Sequence, residues 1–173
     1  MPLLKKGKQK FIDNYFTSTN TGLSIDSVSL ENEDVDSMPL IQHVSFKAKT
    51  SASGDYQYFS ANLFSGLEKN PFIADNRFSD VFFGANQKYT IIGHFTIPAG
   101  YQFDDLPKNI KMIMPDTSIV FSRMMQVTDN EVSVRILLDI KRPFYSIEDY
   151  PYFQEFYKKL FELINEQIVF KKK

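Results

Sequence analysis

The chain has 173 residues, with 20 Lys and Arg against 21 Asp and Glu, and its formal net charge of −1 gives little support to nucleic-acid binding. The absence of cysteine excludes disulfides, a thiolate nucleophile and Cys-based zinc sites, and the 43% apolar content excludes a disordered chain. The 17 Phe and 9 Tyr favour a β-rich fold, because aromatic side chains suit half-buried pleated surfaces.

At the amino terminus, residues 1–20 are predicted to be a lead-in or linker, and residues 21–173 a single domain. No run approaches 18 apolar residues, so the sequence predicts no spanning helix. The first six residues also lack the apolar core of a signal peptide. We therefore expect either a cytosolic chain or an excised piece of a longer exported protein.

Residues 21–66 are predicted to form an antiparallel meander of three strands. Apolar and polar residues alternate over Leu23–Leu30 and again over Pro39–Lys49, where a bulge is expected, and a third strand covers Tyr56–Phe64. A small-residue turn is expected over Ser51–Asp55. The acidic run between the first two strands lacks the residue order of a calcium loop, which favours a solvated turn over a weak calcium site at Glu31, Glu33, Asp34 and Asp36.

After an irregular connection at residues 67–88, residues 89–173 are predicted to form the main sheet and a helix. A turn is expected at Asp104–Asp105, where adjacent carboxylates cannot act as a catalytic pair. A hairpin is expected around Asp129–Asn130, because these residues tolerate the positive φ of a type I′ turn. The predicted strands are Tyr89–Ile97, a short one at Ile110–Met114, Ser118–Val127 and Val132–Ile140.

A helix is predicted over residues 150–167, with Asp149 as its cap and Pro151 in its first turn. A last edge strand follows at Ile168–Lys171. The fold class is mainly β (α+β): an antiparallel β-sandwich-like domain with one C-terminal amphipathic helix and a short terminal strand. The apolar stripe of the helix has three- and four-residue spacing and contains Phe153, Phe156, Tyr157, Leu160, Ile164 and Ile168.

Candidate catalytic and metal-binding residues are sparse. His43 and His94 each lie within an alternating strand, where a paired or exposed histidine is a simpler interpretation than a metal ligand. Arg123 and Arg135 lie on the two arms of the predicted hairpin, and we expect cross-strand salt bridges there in preference to an anion site. The sequence predicts no enzyme, no catalytic residue, no cofactor and no metal site.

The tyrosines near the start of the helix are the candidates for a binding surface. Tyr145, Tyr150 and Tyr152 lie in a Phe- and Tyr-rich segment that could stack against a sugar. The alternative is a packed corner where the hairpin leads into the helix. The two alternatives differ in exposure, since a stacking platform needs exposed, coplanar rings.

Several short motifs resemble the C-terminal domain of unknown function that follows the transglutaminase-like domain in certain exported bacterial proteins. The strand pair around Ser27–Asn32 and Met38–Leu40 is similar to the segment that links the enzyme-like core to that domain. The family's catalytic Cys, His and Asp would lie upstream, so no active-site residue carries over. The motifs are Asn76–Gly84, Ile97–Tyr101, Leu106–Pro107, the hairpin ending in Arg142, Tyr150–Phe156 and Ile168–Lys172.

The resemblance implies a non-catalytic accessory or interaction domain, with the upstream transglutaminase-like domain as its partner. It also implies a periplasmic or cell-surface location, reached through an upstream export signal. The rival hypothesis is a free-standing module that binds a glycan or a peptide. An exposed aromatic trio would favour the rival, and a single exposed aromatic residue, or none, would favour the accessory domain.

Overall fold

The computed structural model describes residues 23–35, 37–38, 41–63, 67 and 69–173. The lead-in predicted for residues 1–20 lies outside them. Contacts between Cα atoms divide the chain into two units, Met1–Thr50 and Ser51–Lys173.

The described part of the first unit is an antiparallel pair of strands, β1 (Leu23–Glu31) and β2 (Ile41–Ala48). Their alternating patterns predicted both strands. The bulge expected in the second strand lies in the first, where the register shifts between Ile25 and Ser27. Asp26 is the extra residue, and as a polar side chain at the surface it can leave the ladder at little cost.

The second unit contains three antiparallel sheets among its described residues, with strand orders β6–β10–β9–β8, β3–β4–β12–β7 and β11–β5. Together with one helix they give a mainly β, sandwich-like α+β fold, as the sequence predicts. The elements are β3 (Ser51–Ser53), β4 (Tyr56–Ser60), β5 (Val81–Phe82), β6 (Gln87–Thr96), β7 (Tyr101–Asp105), β8 (Ile110–Ile113), β9 (Ile119–Thr128), β10 (Glu131–Ile140), β11 (Phe144–Tyr145), α1 (Tyr150–Ile164) and β12 (Gln167–Lys172).

Three local predictions are wrong. The meander over residues 21–66 does not form, because its third strand, β4, pairs with β3 and with the terminal strand β12. The turn expected over Ser51–Asp55 is a strand followed by a tight turn, with Gly54 at φ 60°. Strand β7 continues through Asp104 and Asp105, where a turn was expected. A period of two identifies a strand but not its neighbour, which tertiary packing decides.

The predicted hairpin is confirmed as β9 and β10, which pair from Thr128 opposite Glu131 to Ile119 opposite Ile140 without a register shift. Only Asp129 of the two turn residues has a positive φ, of 53°, whereas a type I′ turn needs two. Every second residue of β10 is buried, so this central strand presents one face to the core.

The predicted helix is confirmed as α1, which ends at Ile164 because Asn165 leaves the helical conformation at φ −97° and ψ 2°. Ile168, placed on the helical stripe by its spacing, belongs to β12. Pro151 lies in the first turn as expected. Asp149 is the N-cap residue, but its side chain makes no capping hydrogen bond and accepts one from Arg142 instead.

The hydrophobic core combines the buried face of α1 with one face of the β6–β10–β9–β8 sheet. Leu160 and Phe153 on the helix and Ile119 and Phe121 on β9 have no measurable exposure. Rings account for much of the helix contribution, for example Phe153 and Tyr157 with centroids 4.5 Å apart. The described residues contain no helix long and apolar enough to cross a membrane.

Candidate functional site

The three candidate tyrosines have very different environments. Tyr145 is fully buried, Tyr150 is 3% exposed and Tyr152 is 62% exposed. Two of the three rings are therefore core residues, and no exposed aromatic trio forms from them. Strands β5 and β11 form a two-stranded ribbon, in which successive side chains point to opposite faces. Tyr145 lies opposite Val81 on the inner face of this β5–β11 ribbon, which explains its burial.

The buried tyrosines form the corner where the hairpin leads into the helix. The ring of Tyr145 packs 4.8 Å from that of Phe153, measured between centroids. The Tyr150 hydroxyl donates to the Ala74 carbonyl oxygen at 2.9 Å, which ties the loop before β5 to the start of α1. The arrangement matches the packed-corner alternative.

Arg142 connects the charged groups of this corner. Its guanidinium contacts the carboxylates of Asp149 at 2.9 Å and Asp116 at 3.2 Å, and its Cζ lies 4.6 Å from the centroid of the Tyr145 ring. Burial raises the pKa of Asp116, but hydrogen bonds from Ser118 and the charge of Arg142 outweigh it, so the net pKa is below the usual value. The cluster therefore carries complementary charges and is a structural ion-pair network.

The hydroxyl of Tyr145 is a buried polar group without a hydrogen-bond partner among the described residues. The Ser118 hydroxyl donates to Asp116 at 2.7 Å instead. Burial raises the pKa of the Tyr145 phenol, and the opposing effects of Ser118 and Arg142 are smaller.

Arg123 is a buried cation whose role the sequence analysis missed. Its side chain is 2% exposed on the core face of β9. It donates to the carbonyl oxygen of Leu163 at the end of α1, to that of Lys108 at 2.9 Å and to the Glu166 carboxylate at 2.7 Å. Arg123 thus joins β9, the segment before β8 and the end of the helix.

The predicted cross-strand salt bridge is therefore wrong for Arg123. Arg123 lies opposite Ile136 and Arg135 opposite Met124, so the two arginines point to opposite faces of the sheet. The alternation Ile119, Phe121, Arg123 places the cation on the apolar face, and this pattern was the signal that could have revealed its burial.

Each histidine contacts a carboxylate on the neighbouring strand. His43 Nε2 lies 2.8 Å from Glu31, and His94 Nδ1 lies 3.3 Å from Glu131 and 3.1 Å from the Ser133 hydroxyl. All of these contacts are exposed. Within the described residues there is no group of three or more His, Asp or Glu side chains that could hold a metal ion.

Tyr152 lines a shallow groove of about 440 Å³ between α1 and the edge strand β8. Its lining includes the apolar residues Met112 and Phe156 and the charged residues Glu155 and Lys158. Lys159 and Glu162 pair with each other across one turn of the helix, at 2.9 Å. The groove offers one exposed ring, so it lacks the parallel faces that a glycan needs for stacking.

A second exposed aromatic feature lies on the β5–β11 ribbon. Phe82 is 70% exposed and lies directly opposite Phe144, which is 45% exposed. Phe78 is 96% exposed three residues before β5, and Ile147 is 44% exposed, with its amide bound to Asp80 at 3.0 Å. We call Phe78, Phe82, Phe144 and Ile147 the ribbon surface. Clustered apolar residues of this kind mark interaction sites more often than scattered ones do.

Comparison with protein families identifies residues 55–170 as a domain of unknown function, DUF3858. The match covers more than half of the chain, so the chain belongs to this family. It takes in the strands from β4 through β11, the helix and the first four residues of β12. Comparisons with curated proteins and with solved structures give no match.

Proposed function

We propose that this chain is a non-catalytic accessory domain of a transglutaminase-like exported protein, which packs against and positions the enzyme-like core. In this proposal the partner is the transglutaminase-like domain upstream in the same natural chain. The site of action is the periplasm or the cell surface, reached through an export signal upstream of this segment.

The exposed ribbon surface is the observation that carries the proposal. Phe82 and Phe144 leave their rings in solvent although Val81 and Tyr145, on the other face of the same ribbon, are buried. Exposed aromatic residues that are held by a rigid strand pair lose little conformational entropy on binding, which suits them as interface anchors. A neighbouring domain that covered the ribbon surface would remove both rings from water.

The titratable groups support the same proposal. Arg142 is shared by Asp116 and Asp149, and Arg123 is bound to Glu166 and two carbonyl oxygens, so these charges hold the fold together. The Ser118 hydroxyl, which donates to Asp116, is only 8% exposed, so it is not open to a substrate.

The test uses the region encoded upstream of this segment in the source gene, expressed separately and titrated with this chain by calorimetry. We expect binding that the double variant Phe82→Glu and Phe144→Glu weakens by about tenfold or more, because each charge would have to be buried in an apolar contact. Met124→Glu is the matched control, because Met124 is 61% exposed but lies on β9, away from the ribbon. An upstream region without a transglutaminase-like domain, or equal binding by both variants, would overturn the proposal.

The second candidate is a free-standing module that binds a glycan or a peptide. Exposed Tyr152 in the groove beside α1 is the observation that favours it. Under this alternative, glycans or peptides raise the melting temperature of the wild-type chain, and Tyr152→Ala abolishes the shift. A single exposed ring is less than a stacking platform requires, so the accessory role ranks first.

A further inference from the structure

Strand β6 is the longest edge strand among the described residues of the second unit. It has ten residues and pairs with β10 alone, from Gln87 opposite Ile140 to Thr96 opposite Glu131, without a register shift. Its other side has no strand neighbour in the part of the chain that the structure describes. An unpaired edge presents backbone donors and acceptors that fit an additional strand.

The direction of these backbone groups follows from the register. The amide of Ile97 donates to the carbonyl oxygen of Asn130, so odd-numbered residues of β6 bond towards β10. Antiparallel ladders alternate, so the even-numbered residues point their N–H and C=O groups outwards. None of these outward groups has a hydrogen-bond partner among the described residues. They belong to Lys88, Thr90, Ile92, His94 and Thr96.

The other edge strands of this unit have features that hinder pairing with a further strand, and β6 lacks these features. The edge strand β8 has four residues, lies between Pro107 and Pro115 and carries Lys111. The edge strand β3 has three residues, and β7 has five and ends with two aspartates. Short length, prolines and charges are the usual protection against edge pairing. Strand β6 has no proline or bulge, and its middle is uncharged.

We propose that β6 is a self-association edge, at which a second copy of this chain adds its own β6 in antiparallel orientation. The proposal goes beyond the accessory role and does not depend on it. An extended strand is the ligand that satisfies outward backbone groups in a row. A twofold axis at Ile92 lets each copy provide the same edge to the other, as a closed symmetric dimer requires.

The side chains favour this antiparallel register. With Ile92 opposite Ile92 of the second copy, Thr90 lies opposite His94 and Lys88 opposite Thr96 of the second copy. Thr96 is in turn the register neighbour of Glu131, whose carboxylate lies on the same outer face. Across the combined sheet, only the short side chain of Thr96 therefore lies between Lys88 of one copy and Glu131 of the other. A parallel arrangement through the same edge would turn the outer faces of the two copies to opposite sides of the combined sheet, and Lys88 would then not face Glu131 of the other copy.

The first test is the mass in solution of the purified chain, measured by sedimentation over a wide range of protein concentration. We expect a dimer of twice 20.1 kDa that dissociates on dilution. Ile92→Lys is expected to weaken association by about tenfold or more, because it places two like charges opposite each other at the centre. Met124→Lys is the matched control. Met124 is 61% exposed and Ile92 is 66% exposed, but Met124 belongs to β9, which lies two strands away from the β6 edge.

Amide hydrogen exchange identifies the edge. At high concentration we expect slower exchange at Thr90, Ile92 and His94, while the amides of Ile91 and Gly93 are protected at every concentration. Lys88→Glu and Glu131→Lys should each weaken the dimer, and the two changes together should restore it. A monomer at all concentrations, or a dimer that protects the β8 edge or the ribbon surface instead, would overturn the proposal.

Discussion

Replacing Arg123 by Met is expected to destabilise the protein by about 3–5 kcal/mol, the range found when one partner of a buried ionic arrangement is removed. The structure gives the reason. The carbonyl oxygen of Leu163 would lose its charged donor, at a cost of about 1.5–3 kcal/mol, and would keep the backbone amide of Glu166, which donates to it at 3.3 Å. The Lys108 carbonyl oxygen, which is partly buried, adds a smaller cost of the same kind, and the half-exposed Glu166 contributes less than about 1 kcal/mol.

The assay is urea unfolding followed by far-ultraviolet circular dichroism. Glu166→Gln should cost no more than about 1 kcal/mol, because it leaves both carbonyl bonds to Arg123 intact. Arg135→Met is the matched control. It removes the neighbouring arginine of the hairpin, which is exposed, and should change stability by less than about 0.5 kcal/mol. If Arg123→Met cost no more than Arg135→Met, the buried hydrogen bonds would contribute nothing and the reasoning would fail.

Tyr145→Phe should leave stability unchanged or raise it, because the lost hydroxyl has no hydrogen-bond partner among the described residues, whereas Tyr150→Phe loses its bond to Ala74 and should cost about 0.5–1.5 kcal/mol in the same urea assay. The pKa of Asp116 is lower in the folded protein than in the unfolded chain, so its carboxylate stays ionised to a lower pH in the folded state. Its contribution to folding stability is therefore fully present above the unfolded pKa of about 4 and is lost as pH falls through the folded pKa. Acid unfolding of Asp116→Asn should therefore lose part of its pH dependence below that value, and an unchanged profile would contradict the lowered pKa. Leu160→Ala should cost about 2–5 kcal/mol by thermal unfolding, and Tyr152→Ala less than about 0.5 kcal/mol, because only Leu160 is buried.

The periodicity of hydrophobic residues was sufficient to predict those strands and helices that bury only one face. Strand β10 alternates fully between core and outer face, and the helix has an apolar stripe, so both were predictable within a few residues. The sequence also predicted the hairpin, because Asp129 and Asn130 interrupt two alternating runs. In each of these elements the local pattern and the tertiary environment agree.

Pairing and short elements were not predictable in the same way. Strand β4 is recognisable, yet its partner β12 (Gln167–Lys172) lies more than one hundred residues further along the chain. Strands β5 and β11 have two residues each, too few for a period to appear. The ribbon surface was missed for that reason, since Phe82 and Phe83 differ in exposure only because of the pairing with β11.

The ribbon surface and the β6 edge leave different groups unsatisfied, and this difference makes their proposed roles separable. The ribbon surface exposes apolar rings, which a partner of any backbone conformation can cover. The β6 edge exposes N–H and C=O groups, which only an extended strand can pair. Phe82→Glu should therefore weaken domain docking and leave self-association intact, and Ile92→Lys should do the reverse. If either variant impaired both, the two surfaces would belong to one interface, and the assignment of separate partners would be wrong.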